Sequence, residues 1–335
     1  MRNSSEFIPL KRFIETFDWL PITEILGKTR FSRRGRKKYF SNLSLFKAFL
    51  LKSYLLIDDN TILVKRFHEN RSYLKFCNFQ KVPSHDTLSK FERKYAFKFI
   101  EIFEFLDDLL ECNGAFQDDD SSFDGTDIPV PFKSKQPAHR YHFGAKSNKK
   151  KFHGFWLMIF ASIKHQIARR FVVGYAREGQ ISLAKEVFNE KQIDNSKNNN
   201  FVIMDGIFDF REMHEIIILK QHKIPLIGYN QRRSGIDERI NLPTTDWHFQ
   251  INPVYKNNEF VMQEFKKRTS IERVNSYSKS YTTICLIQNK IRKSQTIKKT
   301  TVENIVVFSF MLEQFKLLSK IQTKQAQQTI TQYHQ

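Results

Sequence analysis

Through residue 112 the chain keeps a helical period, and beyond an acidic, polar break it changes to the short apolar runs that strands bury. Leu45, Phe49 and Leu50, and later Phe99, Ile100, Phe103, Phe105, Leu106 and Leu109, recur at three- and four-residue spacing, as one face of a helix requires. Strand-like alternation is missing there. Inside this region Pro83 ends one element and Ser84 is placed to cap a helix carrying Thr87, Lys90, Arg93 and Lys94. Such a helix could read DNA, or could be an ordinary amphipathic helix with a solvated basic face.

The segment CNGAFQDDDSSFDG interrupts the pattern and sets a domain boundary near residue 115. Beyond it FWLMIFASI (155–163), RRFVVGYA (169–176), NFVIMD (200–205) and IPLIGYN (224–230) read as strands. Residues 182–191, 210–222 and 302–320 read as helices. Strands first, then β-α-β-α, predict a mixed α/β sheet rather than a sandwich or bundle. The expected division is a helical domain over 1–115, an α/β domain over 116–320 and a polar, disordered tail over 321–335.

Charge narrows the partners. The chain has 55 Lys+Arg against 35 Asp+Glu, a formal net charge of +20, which favours a polyanion, and nucleic acid before an acidic membrane. Leu45–Ile57, the most apolar early stretch, is broken by Lys47 and Lys52 and falls short of the roughly 20 residues of a spanning helix. The first residues lack the apolar core of a secretion signal. Cys77, Cys112 and Cys285 form no C-x-x-C pair. No membrane is expected, and the cytoplasm is the expected compartment.

Two acids follow the strand pattern. Asp124 meets Gly125 at an expected strand end, and Asp205 closes NFVIMDG, where open α/β sheets place their sites. A third acid, Glu272, lies in FKKRTSIERVNSYSK with Phe265, Arg268 and Lys279. On one continuous helix, with Arg268 at zero, Lys279 falls near about 20°, Glu272 near about 40° and Phe265 near about 60°. All four would share a face.

The spacing F-x2-R-x3-E-x6-K resembles the Y-x2-R-x3-E-x6-K signature of bacterial insertion-sequence transposases of the DDE type. It stands in order after DGT at 124–126 and an Asp at 205, with 81 and 67 residues separating the three acids. Phe265 replaces the usual Tyr, and glycine follows the second Asp at once. The resemblance covers roughly residues 40–320 and implies a ribonuclease-H-like catalytic domain behind an all-helical DNA-binding domain. It further implies that Asp124, Asp205 and Glu272 hold two Mg²⁺ or Mn²⁺ ions for phosphoryl transfer on DNA. Carboxylates are hard oxygen ligands suited to those ions, and three acids in one place would repel one another without a cation.

The implied substrates are terminal inverted repeats and target DNA, handled by a homodimer in the cytoplasm at the nucleoid. Arg268, Arg273, Lys279 and Phe265 are expected at the DNA, with Lys146, Lys149, Lys150 and Lys151 in a basic loop and Arg33, Arg34 and Arg36 in KTRFSRRGRKKYF. Two other readings stay open: a catalytically inactive, transposase-derived DNA-binding protein, and a metal-dependent nuclease without a joining step. His139, His142 and His153 sit among lysines, and a metal role for His139-x-x-His142 is the weaker reading. Trp247 could stack on a displaced base, although packing is the commoner use of a Trp.

Overall fold

The computed structural model describes residues 14, 17–27, 39–130, 143–147, 150–189, 201–228, 251–256, 258–277 and 298–333. The chain divides into two compact units, Met1–Ala115 with Ser280–Gln335, and Phe116–Lys279. The break after Ala115 lies where the composition changes. The C-terminal helix, however, joins the first unit, where the sequence reading assigned 302–320 to the second.

The first unit is helical in its described parts: α1 (Leu20–Leu26), α2 (Asn42–Tyr54), α3 (Asn60–Glu69), α4 (Arg71–Phe76) and α5 (His85–Cys112). Ser84 caps α5, its hydroxyl accepting from Thr87 N at 3.2 Å. Phenylalanines fill the core: Phe49 and Phe99 both pack on Phe308 of the long C-terminal helix, with ring centroids 5.6 and 4.8 Å away. Burial pushes the Cys77 thiol far up, while Cys112 is exposed. Cys285 lies outside the described residues.

That C-terminal helix runs Lys299–Tyr333, which corrects the expected disordered tail. It contains neither Gly nor Pro. Its first half is buried up to Leu318, and a formed helix extends cheaply through Gln, Lys and Ala once nucleated.

The second unit is a six-stranded mixed sheet of β1 (Ser121–Pro129), β2 (Phe143–Ser147), β3 (Lys150–Ser162), β4 (Ala168–Tyr175), β5 (Phe201–Met204) and β6 (Ile224–Ile227). β1 runs antiparallel to β3 and parallel to β5, which is parallel to β6. β3 also pairs antiparallel with β2 and β4. β2 and the lysine-rich start of β3 correct the expected basic loop: hydrogen bonding to a partner strand, which composition does not report, draws these residues into the sheet.

One face buries Phe123, Met158, Phe160, Phe188, Met204 and Phe208, with α6 (Gln180–Asn189) and α7 (Arg211–Glu215) supplying its cover. The other face buries Ile203, Leu226 and Val254 against Val261, Met262 and Phe265. Two further helices, α8 (Glu259–Lys266) and α9 (Thr269–Tyr277), belong to this second face, and α9 packs on β1 and β3. Among the described residues no helix is long and apolar enough to cross a membrane.

Candidate active site

The parallel pairing of β1 with β5 sets Phe123 opposite Met204. Asp124 is the next residue within β1 and Asp205 the residue directly after β5, and neighbouring strands lie about 4.8 Å apart. Because Phe123 and Met204 point into the apolar cluster, both acids turn to the opposite face, as the two-residue period requires. Asp124 lies inside β1 rather than at its end, which corrects the sequence reading. β1 continues past its partner because β3 pairs with it as far as Pro129.

The segment 265–275 closes over these acids. α8 ends at Lys266 and α9 begins at Thr269, with Arg268 N donating to Phe265 O at 3.1 Å and Ile271 N to Arg268 O at 3.1 Å. These i→i+3 bonds make a tight turn, so the four-residue motif is not carried on one continuous helix. The turn is pinned from both sides. Lys267 Nζ reaches Asp120 Oδ2 at 3.2 Å and also binds Glu264, while Arg268 Nη1 reaches Asp205 Oδ1 at 3.0 Å. Burial opposes the charge on Lys267, but its hydrogen bonds to Glu264 and Asp120 prevail and raise the ammonium above its ordinary value.

α9 is anchored from its buried face. Ile271 and Val274 are buried, and Asn275 Nδ2 donates to Asp124 Oδ2 at 2.9 Å. Asn275 is itself only 6% exposed, and its Oδ1 accepts no hydrogen bond among the described residues. The sequence reading passed over it. Its spacing was the available signal: Asn275 is three residues after Glu272, hence on an adjoining face of the same helix.

Glu272 lies in the first turn of α9, between the Arg268 and Asn275 anchors, and is exposed. Among the described residues no three His, Cys, Asp or Glu side chains form a group able to hold a metal ion. What the fold brings together is a pair of carboxylates, Asp124 and Asp205, with Glu272 on the helix that Asn275 ties to Asp124 and that follows the turn Arg268 ties to Asp205. Gly125 N donates to Asp124 Oδ1 and Gly206 N to Asp205 Oδ1, each at 2.7 Å. Such an oxygen-rich donor set suits a hard cation.

Phe265 packs against the cluster of Ile203, Leu226 and Val254. A Cβ at Gly228 would stand 3.0 Å from its ring and 3.4 Å from Gly206 N. Arg273 is exposed on α9. Lys146 lies on β2, with Lys150 and Lys151 on β3, and only their backbone is described. Lys149, Lys279, Arg33, Arg34, Arg36, His139, His142 and Trp247 lie outside the described residues. His153 is buried, with Nδ1 2.8 Å from Val130 O, a packed strand residue. Asp209 is buried, with Oδ1 3.0 Å from His214 Nε2.

Residues 2–94 match a family model described as a transposase domain, DUF772. The match supports a transposase, and it ends before either strand-borne acid. No curated protein matches the sequence. A piggyBac transposase, solved in a synaptic complex with hairpin DNA, is similar over 91% of this chain and 75% of its own, at 11% identity and a TM-score of 0.41.

Proposed function

We propose that the chain is a DNA transposase of the DDE type, with Asp124, Asp205 and Glu272 as its catalytic carboxylates. The observation that carries this reading is the β1–β5 register, which makes Asp124 and Asp205 neighbours on one face, beneath the helix that bears Glu272. Antiparallel pairing on one side of β1 and parallel pairing on the other supports a ribonuclease-H-like catalytic domain, and helices α1 to α5 support a DNA-binding domain ahead of it.

Two Mg²⁺ or Mn²⁺ ions held by these acids would activate the attacking oxygen and stabilise the leaving one. The chain's own residues hold the frame. Asn275 fixes one oxygen of Asp124, Arg268 balances the charge of Asp205, and Phe265 closes on Gly228, beside Gly206. No general-base histidine is required. Arg273, Lys279, Lys146, Lys149, Lys150 and Lys151, with Arg33, Arg34 and Arg36, would grip phosphates, consistent with a net charge of +20. The substrates are terminal inverted repeats and target DNA, cut and rejoined by a dimer in the cytoplasm at the nucleoid.

The test is cleavage of element ends in Mg²⁺. Asp124→Ala, Asp205→Ala and Glu272→Ala should each abolish cutting while the fold and DNA binding persist; cutting retained by any one of them refutes that residue's role. About ten neutralised phosphates would give a log–log salt slope near −9. A slope near zero removes DNA as the main partner, and cutting without joining leaves a nuclease.

A further inference from the structure

The first unit contains a cleft of about 640 Å³ that the catalytic reading does not use. Tyr39, Lys81, Ser84, Lys90, Lys94 and Tyr95 are among its lining residues. Lys90 and Lys94 are one turn apart on α5, and Phe91 and Tyr95 follow them on the adjoining face, so that one side of the helix alternates cations with rings. The Phe91 and Tyr95 rings lie 4.8 Å apart, and Phe91 is buried beneath the cleft.

The aromatic side is exposed yet held. Tyr39 is 64% exposed, and Lys81 Nζ lies 3.8 Å from its ring centroid. Among the described residues none of Lys81, Lys90 and Lys94 belongs to an ion pair, and Asp86 is the one acid in the lining. Three ammonium groups around one concavity repel one another unless an anion enters, and the capped start of the 28-residue α5 adds a partial positive charge.

The shape selects among anions. A helix that reads a major groove must stand proud of its surface, whereas here the basic residues line a hollow. A hollow with rings and ammonium groups suits a nucleotide turned out of its stack. We propose that this cleft binds a nucleotide of single-stranded DNA, with its base against Tyr39 and Tyr95 and its flanking phosphates on Lys81, Lys90 and Lys94. The proposal rests on DNA as the partner in the reading above, but on neither the metal ions nor the acids.

The experiment uses the full chain with a fluorescent dT12 strand, a duplex of equal length and an rU12 strand, followed by anisotropy across a salt series. Tyr39→Ala should weaken dT12 binding about five- to a hundred-fold, the range of one lost stacking contact, while Tyr39→Phe stays within about two-fold. Lys90→Gln with Lys94→Gln should reduce the dT12 salt slope by about 1.4. Duplex binding should change less in each. Circular dichroism and melting establish that the variants are folded. Unchanged dT12 binding, equal losses on strand and duplex, or tighter binding of rU12 overturns the proposal. Asp124→Asn with Asp205→Asn should leave dT12 binding intact, so cleavage that survives those changes sinks the catalytic reading alone.

Discussion

Asn275 Nδ2 donates to Asp124 Oδ2 across 2.9 Å, joining residues 151 positions apart. The amide has one chemically sensible orientation, because the reverse would set two oxygens face to face. Its own Oδ1 is left buried without a hydrogen bond among the described residues, so serving Asp124 outweighs satisfying the amide. Asn275→Ala should therefore cost about 1.5–3 kcal/mol, the range for a hydrogen bond to a charged group. Asn275→Asp should cost more at neutral pH, and its excess over Asn275→Ala should vanish below the carboxylate range. Urea denaturation at pH 7 and near pH 3 measures both; equal stabilities of the two variants at pH 7 would refute the contact.

Arg268 divides stability from chemistry. Its ion pair with Asp205 joins side chains 37% and 55% exposed, and pairs so exposed contribute less than about 1 kcal/mol. Arg268→Ala should thus melt almost like the parent and still bind Mg²⁺. On the proposed reading cleavage of a pre-cut DNA end should nevertheless fall, because the substitution would remove the cation beside Asp205 and loosen the turn that leads into the helix bearing Glu272. Full cleavage with slightly lower melting would make Arg268 a surface partner only.

Lys267 gives a pH signature. Its native pKa is raised above the ordinary 10.5, so its stabilisation is complete below that value and is lost as pH rises through the native one. The side chain is 44% exposed, which keeps the effect under about 1 kcal/mol. Lys267→Met should be slightly less stable at pH 9 and should converge with the parent toward pH 12. Denaturation curves that stay parallel through that window would remove the Asp120 and Glu264 contacts as a cause of stability.

Two glycines should respond by different amounts. A Cβ at Gly154, where φ is +154°, would fall 2.0 Å from Ile128 O. Backbone cannot yield there without disturbing the β1–β3 pairing. At Gly125 the nearest atoms are Sδ and Cε of Met158, at 2.7 and 2.9 Å, the far end of a flexible side chain. Gly154→Ala should cost upward of about 3 kcal/mol and Gly125→Ala under about 1.5. Chemical denaturation of the pair compares them directly, and equal losses would contradict the strand register.

The apolar runs at 155–163, 169–176, 200–205 and 224–230 coincide with β3 to β6 because buried strands are written in consecutive apolar residues. β2 and the first residues of β3, rich in lysine, carry no such pattern, and their place in the sheet is set by pairing with each other. Asp205 was legible as an acid closing a strand. Asn275 was not, because its value comes from a partner 151 residues away. The turn at Lys267–Arg268 was equally hidden. Helical arithmetic assumes a straight axis, whereas these two side chains are drawn to Asp120, just ahead of β1, and to Asp205, just past β5.

The β1–β5 register also sets a clock. Asp124 gains its neighbour only when a strand made 81 residues later docks in parallel, and a slip of one residue would send the two acids to opposite faces. The helix bearing Glu272 emerges later still. At about 5–20 residues per second of synthesis, a growing chain spends on the order of ten seconds with its first acid made and its third absent. Any activity that needs all three acids is therefore withheld until the last part of the second unit has left the ribosome.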